Sequence, residues 1–110
     1  MVNQKEKLTI QEVARTTGLS AHTLRYYERI GLIHPIDREQ NTRRCYTADD
    51  VGWIDFLLKL RATGMSIKDM QRYAKLQRQG EDTLSERVEM LKSLRDNVEA
   101  RIEEQMSEKA

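Results

Sequence analysis

The sequence holds one cysteine, Cys45, and one proline, Pro35, in 110 residues. A lone cysteine excludes an intramolecular disulfide and a multi-thiolate metal site, in keeping with a reducing compartment. The two histidines, His22 and His34, lack the spacing and companions of a metal site. There is no long apolar run to span a membrane, and no apolar segment of the kind a signal peptide needs follows the charged N-terminus. Neither secretion nor a membrane partner is therefore indicated, and a cytoplasmic location is expected. No glycine-rich phosphate loop, carboxylate pair or nucleophile–base arrangement is visible, so no enzyme and no cofactor are expected. Internal repeats and low-complexity segments are lacking too.

What is present is charge and helical periodicity. Hydrophobic residues make up 38% and charged residues 34%, which suits a helix-rich chain with a core small enough to need a partner subunit. The formal net charge of +1 conceals an asymmetry. Residues 1–46 carry +3, residues 47–80 carry +2 and residues 81–110 carry −4. A basic front and an acidic tail imply that the first two-thirds meet a polyanion while the tail points away.

The chain is organised around Leu8–Ile33, LTIQEVARTTGLSAHTLRYYERIGLI. Thr9 and Glu12 match the S/T-x-x-E capping box and start a helix whose apolar face is Ile10, Val13 and Ala14. Gly18 closes it, Leu19 plugs the turn, and Ser20 is a good N-cap for a second helix. In that helix Leu24 and Tyr27 face inward, leaving His22, Thr23, Arg25, Tyr26 and Arg29 for other surfaces. Spacing alone allows either an ordinary helical hairpin or a helix-turn-helix whose second helix enters the major groove.

The residues go further than the spacing. Leu24-Arg25-Tyr26-Tyr27-Glu28, followed by Ile30-Gly31-Leu32-Ile33, resembles the recognition helix and exit turn of the MerR family of bacterial transcription regulators. The resemblance is strong to about Met70 and looser beyond. It implies a β-hairpin wing next, whose arginine contacts the DNA backbone or minor groove. Two short strands at 36–38 and 43–46, with 39–42 between them, would form it. Arg44 and Tyr46 stand where the family pattern NGYRxY has its arginine and last aromatic. Thr42 replaces the turn glycine and Arg43 the first aromatic, so the turn type departs from the family's, although Asn41 tolerates positive φ.

Thr47 and Asp50 open a third helix with Val51, Ile54, Leu57 and Leu58 on its apolar side. Trp53 and Phe56 read as core rather than as a ligand cage. Gly64 closes this helix, and Ser66 with Asp69 caps a fourth, packed by Ile67, Met70, Tyr73, Ala74 and Leu76. Arg61 and Lys68 read equally as phosphate contacts or as solvated surface charges. Gly80-Glu81-Asp82 breaks the chain, and Thr83-x-x-Glu86 predicts another capping box before an uninterrupted helix to about Met106. Leu84, Val88, Leu91, Val98, Ile102 and Met106 form one stripe on it, with Leu94 on its flank and Arg95 interrupting the heptad series. That stripe either folds back on its own domain or pairs with a second copy. The resemblance implies an antiparallel pair in a homodimer.

The expected fold is mainly α: a winged helix-turn-helix DNA-binding domain over 1–80, and a coiled-coil dimerisation helix over 81–110. The expected ligand is double-stranded promoter DNA at a pseudo-palindromic site. The candidate contacts are Thr9, His22, Thr23, Arg25, Tyr26, Tyr27, Arg43, Arg44, Tyr46 and Arg61. Arg25 suits a guanine edge or phosphate through its guanidinium fork, and Tyr26 can donate to phosphate. His22 and Thr23 lie near the helix start, where base contacts usually fall. By resemblance, RNA polymerase is a partner at the target promoter, and the protein works by changing DNA shape.

The stretch WIDFLLKLRATGMSI…GEDTLSERVEML looks most like the short aldehyde- and nitrosative-stress-responsive branch. That branch carries a reactive cysteine near Lys59, which here is no thiol. Cys45 lies beside Arg43 and Arg44, which favour thiolate, but it reads first as a wing residue with no sensing role. The cysteines of metal-sensing relatives and the separate ligand domain of drug-sensing ones are not found in this sequence. Two other readings stay open: a winged helix that binds a protein, and an excisionase-like architectural protein.

Overall fold

The computed structural model describes residues 7–36 and 45–109, with Glu108 and Lys109 as backbone only. These residues form five α-helices and one 3₁₀ turn. The helices are α1 (Ile10–Thr17), α2 (Ala21–Arg29), α3 (Ala48–Ala62), α4 (Ile67–Gln79) and α5 (Leu84–Lys109). Among the described residues the β structure is an isolated antiparallel bridge between Leu8 and Tyr46. The wing predicted between Ile36 and Tyr46 falls mostly on residues 37–44, outside the described residues. The chain packs as two compact units that divide between Lys59 and Leu60.

In the first unit, α1 and α2 pack against each other. The Thr9 hydroxyl accepts from the Glu12 amide and the Glu12 carboxylate accepts from the Thr9 amide, each at 3.1 Å, so the capping box is complete. Gly18 ends α1 at φ +78°, a conformation that costs a side chain about 1 kcal/mol or more. The Thr17 hydroxyl then tightens the turn by donating to the Val13 carbonyl and accepting from the Leu19 amide. Ser20 caps α2 through the Thr23 amide at 3.0 Å. The core gathers Val13, Leu24, Tyr27, Leu32, Ile33, Ile36, Tyr46, Ile54 and Leu57, all buried. Ile10, Ala14 and Leu19 are half-buried at its edge.

α3 begins as its sequence predicts. The Thr47 amide donates to Asp50 Oδ2 at 2.9 Å, and the Asp50 amide to the Thr47 hydroxyl at 3.2 Å. Trp53 and Phe56 are half-buried and tilted against each other, ring centroids 5.7 Å apart. The Trp53 indole also does something periodicity cannot announce: its N–H donates to the Leu32 carbonyl at 2.8 Å.

In the second unit, Ser66 caps α4 through the Asp69 amide at 3.1 Å. Met70, Tyr73, Ala74 and Leu76 are buried, and α4 packs against α5. The junction between them corrects one expectation. Thr83 does not pair with Glu86 as a capping box. It closes a 3₁₀ turn, Glu81–Thr83, and α5 starts at Leu84. The buried Thr83 hydroxyl lies 2.7 Å from the Leu76 and Gly80 carbonyls, which share its one proton, and accepts from Arg87 Nε at 3.0 Å. The Leu76 carbonyl lies at the end of α4, where helix-end carbonyls need an outside partner, and the hydroxyl turns inward to it instead of outward to a helix start. α5 then continues to Lys109, beyond the predicted Met106. No described helix is long and apolar enough to cross a membrane.

Candidate nucleic-acid interface

The exposed face of α2 is the part of the first unit built to touch something outside it. Leu24 and Tyr27 are buried at 0% and 2% exposure, which fixes the rotation of the helix about its axis. That rotation turns His22, Arg25, Tyr26 and Arg29 outward. Tyr26 is 41% exposed, and the Arg29 guanidinium lies over its ring, 5.4 Å from the centroid. Such a cation–π stack steadies the guanidinium at the surface. A phenol and two guanidiniums on one helical face are an anion-binding set with donors enough for phosphates and base edges.

The predicted site residues separate clearly. His22, Arg25 and Tyr26 share this outer face, with Thr23 half-buried at its start, where its Oγ1 accepts from the Ser20 hydroxyl at 3.0 Å. Tyr27 and Tyr46 are core residues with 2% and 0% exposure. Thr9 is half-buried at the N-terminus of α1, engaged in capping. Arg61 is exposed and belongs to the second unit. Arg43 and Arg44 lie outside the described residues, and Cys45 is half-buried. Two residues beyond the predicted set belong with α2. Arg29 repeats Arg25 at i+4, a spacing legible in the sequence. Glu28 accepts the Ile36 amide at 3.1 Å on Oε2, a contact that no local pattern announces.

Elsewhere in the first unit, Glu12 is held below the ordinary glutamate value of 4.5, chiefly by the Thr9 amide, then by the Thr9 hydroxyl, with Arg15 a smaller contribution. Among the described residues no cluster of three or more histidine, cysteine, aspartate or glutamate side chains is arranged to hold a metal ion.

A short helix capped by serine, seated on a partner helix and presenting arginines and a tyrosine defines a helix-turn-helix DNA-binding protein. Comparison with known proteins narrows this. The MerR HTH family regulatory protein description matches residues 8–77, and the MerR DNA-binding description matches residues 51–108. The chain belongs to the MerR family of helix-turn-helix regulators. It is 36% identical over 96 residues to an uncharacterised HTH-type transcriptional regulator of Haemophilus influenzae, covering 87% of this chain and 71% of that one. It is 40% identical over 84 residues to the HTH-type transcriptional regulator AdhR of Bacillus subtilis, covering 76% of this chain and 60% of that one. These relatives are named as transcriptional regulators, not enzymes.

Among solved structures, a MerR family regulator from Listeria monocytogenes superposes with a TM-score of 0.84 at 43% identity, over 91% of this chain and 76% of that one. HiNmlR, a MerR family regulator lacking the sensor domain, was solved bound to promoter DNA. It superposes with a TM-score of 0.85 at 34% identity, over 93% of this chain and 81% of that one.

Proposed function

We propose that this MerR-type regulator binds a pseudo-palindromic promoter site as a homodimer, with α2 in the major groove and Arg43 and Arg44 on the flanking backbone or minor groove. The observation that carries the reading is the outer face of α2, where Arg25, Tyr26 and Arg29 are exposed while Leu24 and Tyr27 are buried. The likeness to HiNmlR, itself bound to promoter DNA, supports it. Residues 1–80 serve as the winged helix-turn-helix domain and residues 81–110 as an antiparallel dimerisation helix. Acting in the cytoplasm, the dimer alters promoter shape so that RNA polymerase can engage, an energy that phosphate contacts must supply. The likeness to AdhR supports placement in the short stress-responsive branch.

The test is a fluorescence-anisotropy titration against duplex from the gene's own upstream region, with a scrambled duplex as control, across a range of salt. Tighter binding to the native duplex, with an affinity that falls steeply with salt, is the expected result. Equal binding to both duplexes would point to an architectural protein. No binding at low salt would point to a winged helix that docks on a protein.

A further inference from the structure

The exposed apolar residues of α5 are placed symmetrically along it. Leu84, Val88, Ile102 and Met106 are 40–68% exposed. Leu84 and Val88 stand eleven and seven residues before Arg95, and Ile102 and Met106 stand seven and eleven residues after it. Leu91 and Val98, four before and three after, are half-buried between them. A two-fold axis through Arg95 demands this mirrored spacing. An antiparallel copy then lays its Ile102–Met106 end along Leu84 and Val88, and the reverse at the other end. A partner of different sequence sets no such condition on the spacing.

Charge follows the same symmetry. Lys92 stands three residues before Arg95 and Glu99 four after it, with opposite signs. Both are exposed, and seven residues, or two helical turns, put them on the same flank of the stripe. An antiparallel copy brings each lysine beside the other chain's glutamate, two bridges for one axis. In the single chain Lys92 Nζ lies 3.8 Å from Glu89 Oε1 and Arg95 Nη2 lies 3.2 Å from Asp96 Oδ1, all four side chains 55–75% exposed. Pairs this exposed contribute little, so Lys92 gives its own up readily for a partner. The Asp96 carboxylate offsets the charge that two arginines bring to the axis.

We propose that Lys92, Arg95 and Glu99 set the register in which α5 selects its own copy. The two-fold axis passes at Arg95, and Lys92 of each chain bonds the partner's Glu99. A polar residue within an apolar seam fixes register, because a slip drives it against apolar side chains. Sliding one copy by seven residues sets Arg95 against Val88 or Ile102 and leaves one end of each stripe uncovered. This rests on the proposed reading that α5 pairs antiparallel with a second copy.

Cross-linking with a short bismaleimide, in a Cys45→Ser background that removes the native thiol, finds the axis. Arg95→Cys joins to its own copy. Val88→Cys and Ile102→Cys each do not, since like residues then lie about 21 Å apart along the seam, yet the two join when mixed. Sedimentation reads the charges. Lys92→Glu and Glu99→Lys each weaken the dimer roughly tenfold. An equal mixture of those two variants associates as tightly as wild type, because each chain then meets its opposite. Failure of Arg95→Cys to join, self-joining of Val88→Cys or Ile102→Cys, or a charge mixture no tighter than its components overturns the proposal. A wild-type chain that sediments as a monomer instead removes the reading on which it rests.

Discussion

At the scale of single residues, neighbours on α2 have opposite duties. Leu24 is fully buried and Arg25 beside it is exposed, so their substitutions should separate stability from recognition. Leu24→Ala should cost roughly 2–5 kcal/mol of stability by leaving a cavity, read as a lowered melting temperature. Arg25→Ala should leave the melt unchanged and weaken binding to the native duplex by about 1–3 kcal/mol, with less loss on scrambled DNA. Equal losses on both duplexes would reassign Arg25 from base edge to phosphate. Glu12 gives a prediction in pH. Its native pKa is depressed, so its contribution is present above the unfolded value near 4.5 and is lost as pH falls through the lower native value. In acid unfolding followed by circular dichroism, wild type should lose this contribution as pH falls through that range, and in Glu12→Gln this part of the acid sensitivity should vanish.

Elements were legible where their signals are local. The caps Thr9, Ser20, Thr47 and Ser66 all stand three residues before the group they bond, a spacing any reader of the chain can find. Thr83 misled because the same spacing occurs where the stronger demand comes from carbonyls seven and three residues back. Contacts of long sequence separation were invisible for the same reason: nothing in α2 alone ties Glu28 to Ile36, and nothing in α3 alone aims Trp53 at Leu32. Gly64 belongs to this class. Its φ of +101° reads from sequence as an ordinary helix stop, yet the Arg101 guanidinium covers it and donates to the Thr63 carbonyl at 2.7 Å. A Cβ on Gly64 would sit 2.8 Å from Arg101 Nη2. Gly64→Ala should thus cost about 1–3 kcal/mol from backbone strain, together with displacement of a flexible side chain. Chemical denaturation of Gly64→Ala and of Gly64→Ala with Arg101→Ala checks it. The double variant should recover the displacement part and keep the strain.

At the scale of the whole molecule, the question is what covers α5. Leu84, Val88, Ile102 and Met106 are 40–68% exposed in the single chain, while Leu91 and Val98 are half-buried. If burying the exposed half of such a side chain stabilises by about 1 kcal/mol, two copies of those four give roughly 8 kcal/mol. Losing the free motion of two chains costs about 4–15 kcal/mol, the same order as that gain, so an antiparallel pair along this stripe would be sensitive to a single charge. Leu91 sits near the middle of the stripe, where an antiparallel partner would bring its counterpart close. Leu91→Asp would place two carboxylates in that seam, each costing several kcal/mol to desolvate, which is comparable to the whole apolar gain. Sedimentation velocity should show wild type as a dimer and Leu91→Asp as a monomer with its helix content retained. The same variant should lose its preference for a full two-half-site duplex, because a monomer offers one recognition helix where the site is read by two. A dimer that survives Leu91→Asp would place the seam elsewhere, whereas a monomer that still prefers the full site would separate dimerisation from recognition.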